Sequence, residues 1–554
     1  MIRRPVAVGG VAVLTALALA LAACSADAGG LGPATTSGTP TADPPSSGAS
    51  ASSGPSPSTE PAPTGWGPTE ADLTAARTAV AQLSVEELAG QVVVASYRGT
   101  DPQDAADLVV RHSLAGVILM ADNVVDGEQV AATAAAVQDA VTAGGRDWPG
   151  VVAVDQEGGR VERIGEPVTP LPTFMTHGAA ASSPVTTAVT RAAGRELRHL
   201  GVTVVLAPVA DVTTGPDDPT IGSRAASDDP ALVADVVTAA VAGYLEAGVV
   251  PVAKHYPGHG SVPADSHVTL PAQTMSADEL AARDLVPFAA AAQAGVPAVM
   301  MSHLDVRAWD PGVPASLSAA AYTALRERTG FAGVAVTDAL DMAAVTAETG
   351  PGQAAVRALA AGADLLLMPA DPAAAVDAVA AAVRSGELPR ERVEEAAARV
   401  VALLTWQGRQ APPDPESLEL TAPVVHALSL VGTTVVDGPC SGPLVGDAVQ
   451  VVGGTAQDRA RFTAAAQAGG LQVGSGDVVR LLGGPTSSGS GDVVVALDAP
   501  YGLAGSSAAT ARLALYGRTP AAFAALVDVL RGQGRAGGRL PVEVAGLPRS
   551  ACRP

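Results

Sequence analysis

Short apolar runs recur along the middle of the chain, at Gln91–Tyr97, Gly116–Met120, Gly150–Asp155, Val202–Ala207, Val249–Lys254, Ala298–Ser302, Gly333–Thr337 and Ala363–Met368. They are nearly continuous rather than alternating, which is the pattern of strands buried on both faces. Between them lie Ala-rich segments of helical length, among them Pro230–Ala247, Ala277–Ala294 and Gly352–Ala361. Thr69–Leu83 reads as a lead-in helix, and Ser84-x-x-Glu87 is a capping box that starts the next one. Eight buried strands alternating with helices predict an α/β fold, a (β/α)8 TIM-type barrel over 66–411. A doubly wound open sheet has the same alternation and is the other architecture the pattern allows.

Beyond the linker Pro412-Pro413-Asp414-Pro415 the rhythm changes. Leu420–Val435 reads as helix then strand, Val451-Val452, Val479–Leu482 and Asp492–Leu497 as short strands, Thr519–Arg531 as a helix and Arg539–Val544 as a closing strand. These predict a smaller α/β domain, like an αβα sandwich, over 412–554. Gly483-Gly484 and Gly532, Gly534, Gly537 and Gly538 suit turns better than phosphate loops, and no metal, nucleotide or catalytic pattern stands out in this part.

The N-terminus has a different pattern. Arg3 and Arg4 precede the apolar Val6–Ala20, and Leu21-Ala22-Ala23-Cys24 resembles a bacterial lipobox. That reading makes 1–23 a lipoprotein signal peptide and Cys24 the lipidated residue. A membrane-spanning anchor, or an ordinary signal peptide with an incidental cysteine, is the alternative, but the run is short for a span. From Ser25 to Gly65 the chain is Ser, Thr, Pro, Gly and Ala, too poor in large apolar groups to offset its ordering entropy. A tether over 24–65 follows, holding an exported body to the outer face of the cytoplasmic membrane through lipid.

Composition sharpens this picture. With 554 residues two domains are expected, and 48% hydrophobic but only 3% aromatic residues mean a core of Ala, Val and Leu. A formal charge of −22, with no basic cluster beyond the first residues, argues against a nucleic-acid partner. Of three cysteines, Cys440 and Cys552 both fall in the second domain; export permits a disulfide between them, and two free thiols are the other reading.

Polar residues fall just past the apolar runs, where a barrel builds its active site. Asp155 ends the third run; Asp211 follows the fourth, with Arg224 beyond it; Lys254-His255 closes the fifth, Ser302-His303 the sixth and Thr337-Asp338 the seventh. Lys254–His267 gathers three histidines, a lysine and an aspartate into fourteen residues, in a chain with eight histidines altogether.

These stretches carry a resemblance. Asp155–Arg163 (DQEGGRVER), Lys254–Gly260 (KHYPGHG), Asp265-Ser266-His267, Pro314–Ser318 (PASLS) and Val336–Met342 (VTDALDM) resemble glycoside hydrolase family 3 in its β-N-acetylhexosaminidase branch, and cover most of Gln91 to Met368 in the family's order. The resemblance implies Asp338 as nucleophile, where an unaided reading leaves an ordinary helix N-cap open. Asp341 reads as lying within the helix that follows. The resemblance also implies an unusual acid/base, His267 paired with Asp265, in place of a second carboxylic acid. An imidazole titrates near neutral pH, and a carboxylate on one ring nitrogen fixes its tautomer. Asp155, Arg163, Arg224, Lys254 and His255 are implied as contacts to the first sugar, and His259 reads as a loop histidine that packs. The chain departs from the family at Val204-Val205-Leu206, where Asn is frequent, and at Tyr256, where Phe is common.

The implied function is a retaining exo-β-N-acetylglucosaminidase acting on cell-wall or chitin-type oligosaccharides, with no cofactor or metal. Its partners would be a carbohydrate substrate and, through lipid, a membrane. A phosphorylase acting on the same kind of glycoside, and a non-catalytic cell-wall-binding lipoprotein, are the alternatives.

Overall fold

The computed structural model describes residues 62–552 except 348, 412, 415–417 and 419. Cys24, the expected signal peptide and nearly all of the expected tether lie outside the described residues.

Each of the eight apolar runs holds a strand, or in the fifth run most of one: β1 (Val93–Ala95), β2 (Gly116–Leu119), β3 (Val151–Val154), β4 (Val204–Val205), β5 (Val250–Tyr256), β6 (Ala298–Met301), β7 (Val334–Thr337) and β8 (Leu366–Leu367). All are fully buried, as continuous Val-rich runs require. They pair in parallel in the order β7-β6-β5-β4-β3-β2-β1-β8. A bridge from Val336 to Leu365 joins the two ends of that order. Closure excludes the open sheet and gives the barrel. Because all eight strands run the same way, their C-terminal ends share one mouth.

The helices form largely where their caps start them. Ser84 accepts from the Glu87 N–H while the Glu87 carboxylate accepts from the Ser84 N–H, and the helix Val85–Gly90 follows. The helix expected over Ala277–Ala294 is instead two, Ala277–Ala282 and Val286–Gln293. Pro287 cannot continue a preceding turn, and the intervening Asp284 is turned into the protein. Its carboxylate accepts from Ser261 at 3.0 Å and pairs with Arg283, which also donates to the carbonyls of Val212 and Thr213. The break thus supplies a buttress behind the turn that follows β5.

The second sheet comprises β9 (Thr434–Asp437), β10 (Ala448–Gly453), β11 (Gln472–Val473), β12 (Asp477–Leu482), β13 (Ser490–Ala496) and β14 (Ser507–Ala514), in the order β9-β14-β13-β12-β10-β11. Only the β9–β14 pair is antiparallel. One face packs on Phe462 and Leu526, from the helices Ala456–Ala468 and Pro520–Leu530. The other packs on Met175 and Ala179 of the helix Phe174–Ala180, so the barrel half of the chain provides part of the sandwich.

Arg539–Val544 is not a closing strand. It runs as irregular chain across the barrel, where its polar backbone finds partners: Arg539 N–H donates to Ala179, the Pro541 carbonyl accepts from the Ser227 hydroxyl and the Asp228 N–H, and the Glu543 N–H donates to Asp228 at 2.6 Å. Cys440 and Cys552 are joined in a disulfide.

Candidate active site

The stretch after β3 explains the order of its motif. Asp155 and Glu157 are two apart in extended chain and so share a face, while Gln156 points the other way. Its amide oxygen accepts from the N–H groups of Arg163 and Ile164, and its amide nitrogen donates to the Ile164 carbonyl. Gly158 and Gly159 turn the chain at φ 100° and 65°, and a Cβ at Gly158 would stand 2.3 Å from the Pro172 carbonyl oxygen. Gln156 and the glycines therefore shape a hairpin that presents Asp155, Glu157 and Arg163.

The opposing charges come from β5, which extends through Tyr256 and so contains Lys254 and His255. Lys254 Nζ lies 2.5 Å from Asp155 Oδ1 and 2.6 Å from Glu157 Oε1. Glu157, itself buried, also takes Arg224 at 2.8 Å. Burial disfavours the Glu157 anion, but Arg224 and Lys254 outweigh it and hold the carboxyl well below its usual range. By the same balance burial works against the Lys254 and Arg224 cations, and the facing carboxylates raise both. His255 Nδ1 is 2.7 Å from Asp211 Oδ2 and its Nε2 3.3 Å from Arg224. An arginine can only donate, so Nε2 accepts and Nδ1–H donates to Asp211.

Asp338 stands directly after β7, half-buried, with one carboxylate oxygen accepting from the Ala339 N–H at 2.8 Å. Burial pushes its pKa up, but His303, His255, the Ala339 N–H and Lys254 together leave it below the ordinary value. His303 is buried beneath it, bridging the Ser316 hydroxyl and the Ala339 carbonyl at 2.6 and 2.8 Å. It holds the backbone next to Asp338 and does not line the cavity.

Asp265 and His267 form a local unit. Asp265 Oδ1 accepts from the His267 N–H at 2.9 Å and lies 2.8 Å from its Nδ1. Burial raises the Asp265 pKa, but the His267 backbone and ring more than offset this and lower it. His267 Nε2 has no hydrogen-bond partner among the described residues.

A cavity of about 330 Å³ at the barrel mouth is lined by Asp155, Arg163, Arg224, Lys254, His255, His267 and Asp338. Asp265 stands just behind, against His267. Leu206, Met300 and Leu367 contribute apolar lining. The expected residues are therefore brought together around one opening. Glu157, the shared partner of Lys254 and Arg224, has no role in the sequence reading; its signal was the two-residue spacing from Asp155. Asp341 is corrected: it lies in the turn before the short helix Ala343–Thr346 and lines the cavity. Burial is the largest influence and raises its pKa, with the Asp338 charge adding to it, against its backbone hydrogen bond and the nearby His303 and His267. Among the described residues no group of three or more His, Cys, Asp or Glu side chains is placed to hold a metal ion.

The family model for the glycosyl hydrolase family 3 N-terminal domain matches residues 77–403. The chain belongs to glycoside hydrolase family 3. This family 3 enzyme is 34% identical over 407 residues to the beta-hexosaminidase LpqI of Mycobacterium tuberculosis, a match covering 71% of this chain and 96% of that protein. It is 34% identical over 332 residues to beta-hexosaminidase A of Pseudoalteromonas piscicida, but this match spans 55% of the chain and 56% of that protein's length. Among solved structures, a family 3 β-N-acetylglucosaminidase from Paenibacillus superposes with a TM-score of 0.74 at 27% identity, covering 83% of this chain and 99% of that one. The family 3 assignment makes the chain a glycoside hydrolase, and its matched residues span all eight barrel strands.

Proposed function

We propose that this enzyme is a retaining exo-β-N-acetylglucosaminidase. The observation that carries the reading is that Asp338 and His267, the latter bonded through Nδ1 to Asp265, open on one cavity. The beta-hexosaminidase and β-N-acetylglucosaminidase relatives support the sugar assignment. Asp338 attacks the anomeric carbon while His267 Nε2–H gives its proton to the departing oxygen, leaving a glycosyl-aspartate ester and a free alcohol. Water then adds to the same carbon, giving one proton to His267 and releasing Asp338. The Asp265 carboxylate orients the ring and stabilises the imidazolium formed in the second step. Lys254, Arg224, Arg163, Asp155 and His255 hold sugar hydroxyls by charge-assisted hydrogen bonds. A cavity closed below by the packed barrel suits a chain end rather than a chain interior. Terminal N-acetylglucosamine of cell-wall or chitin-type oligosaccharides is the substrate we infer.

The test is hydrolysis of aryl β-glycosides that differ only at the 2-substituent, by the parent and by Asp338→Asn. A parent that prefers the acetamido sugar, and a variant reduced by about 10³-fold or more, are the results expected. A variant as fast as the parent would sink the mechanism. A neutral imidazole in place of a second carboxylate leaves no anion to repel phosphate, which favours a phosphorylase as the second reading. A strict requirement for phosphate in the same assay selects it.

We further propose export and lipid anchorage through Cys24, supported by the Leu21–Cys24 pattern and by a disulfide suited to an oxidising compartment. Cys24→Ser should release the enzyme from the membrane fraction; retention there would overturn the anchor.

A further inference from the structure

The segment Pro263–Leu270 carries the proposed acid/base on an outward loop. The Asp265 and His267 side chains are 44% and 67% exposed, and Val268 beside them is 75% exposed. Ser266, between the two dyad residues, is the exception at 2%. Its hydroxyl lies 3.0 Å from His259 Nε2. Among the described residues this is the one hydrogen bond by which a residue of Pro263–Leu270 other than its own neighbours is engaged through a side chain. The remaining side-chain bonds of the segment run between Asp265 and His267.

His259 is itself held firmly. It is 2% exposed, and its backbone N–H donates to Asp211 Oδ1 at 2.6 Å. Asp211 is the carboxylate that also fixes His255. The His259 and His255 rings meet edge to face, with centroids 6.1 Å apart. His259 Nδ1 is buried and has no hydrogen-bond partner among the described residues, so Ser266 is that ring's one side-chain partner.

We propose that His259 and Ser266 form a latch that positions the Asp265–His267 dyad over the cavity. His259 is a positioning residue: it acts on the proton transfer by fixing where the loop sits, through Ser266, the one buried side chain of the D-S-H triplet. The rigid end of the latch is Asp211, shared with a sugar-holding residue, so dyad and sugar site are located against one carboxylate. The proposal rests on the reading of His267 as acid/base.

A misplaced proton donor matters when the leaving group is basic and little when it departs unaided. The test compares kcat/KM for N,N′-diacetylchitobiose and for 2,4-dinitrophenyl N-acetyl-β-glucosaminide, in full-length Ser266→Ala, His259→Ala and His259→Gln, with His267→Ala as reference. We expect Ser266→Ala and His259→Ala to lose about tenfold or more on the disaccharide and less than about threefold on the activated substrate. His259→Gln, which can still reach the hydroxyl, should recover most of the disaccharide rate. Ser266→Ala removes one oxygen from a surface loop and decides the matter should His259→Ala fail to fold. Equal losses on both substrates, or none on either, overturn the latch while His267→Ala still discriminates between them. Should His267→Ala itself slow both equally, the acid/base reading falls, and the latch with it.

Discussion

Arg224 meets Glu157 fork to fork, its Nε and one Nη each 2.8 Å from a different carboxylate oxygen. Glu157 is buried and Arg224 mostly so, and Lys254 leans on the same carboxylate at 2.6 Å. Two cations therefore depend on one anion that touches solvent little.

Glu157→Gln should accordingly be more damaging than Asp155→Asn. It leaves two buried cations short of charge, a loss of about 3–5 kcal/mol for a broken buried pair. Asp155 is more exposed, and Lys254 keeps Glu157 when it is lost. Thermal denaturation should show the larger drop for Glu157→Gln, and its KM should rise because Arg224 and Lys254 lose their placement.

Tyr256→Phe should be neutral or mildly stabilising. The Tyr256 hydroxyl is buried without a hydrogen-bond partner among the described residues, whereas its ring stacks on Trp309 at 6.0 Å and meets Phe288 edge-on at 5.3 Å. Removing the oxygen keeps both contacts and relieves a desolvated group, worth up to about 1–3 kcal/mol. An unfolding midpoint clearly below the parent's would show that the hydroxyl has a use.

Most of the barrel was legible because its strands are buried on both faces and so read as unbroken Val-rich runs. The Asp265–His267 hydrogen bond was legible because the two residues need no tertiary contact to meet. What was not legible depends on distant partners. Strand β14 is built from Ser, Ala, Thr and Arg with a single large apolar residue, Leu513, and carries no apolar run; it is a strand because β13 and β9 flank it. Arg539–Val544 has the alternation of a strand but is claimed by Ser227 and Asp228, more than three hundred residues earlier. Asp341 belongs to a turn because the helix there starts later, at Ala343.

Asp284 should make stability fall as pH rises toward neutrality. Burial is the largest influence on its carboxyl and pushes it from 3.8 to about 6. A group raised on folding favours the protonated folded state, so its contribution is full below the unfolded value and is lost as pH passes the folded one. Burial raises Asp218 to about 6 and Glu162 to about 7, in the same direction. The unfolding midpoint should decline from pH 4 to 7, and Asp284→Asn should flatten part of that slope. An unchanged slope in the variant would remove Asp284 from the account.

Loss of the disulfide should weaken the second sheet and spare the chemistry. Cys440 and Cys552 are 112 residues apart, and closing so long a loop is worth about 2–5 kcal/mol in the unfolded chain. Neither residue lines the cavity. Cys440→Ser with Cys552→Ser should lower the unfolding midpoint while leaving kcat and KM at 25 °C within about twofold.

The strap from Arg539 to Glu543 makes the second half of the chain a part-owner of the cavity at the barrel mouth. Ser227 and Asp228, which it engages, follow Arg224 by three and four residues on the same loop. A trimmed enzyme ending at the linker would thus expose a loop whose hydrogen bonds were written for a neighbour. Anyone shortening this chain toward a bare barrel would have to redesign that loop first, because the cut and the cavity lining are not independent choices.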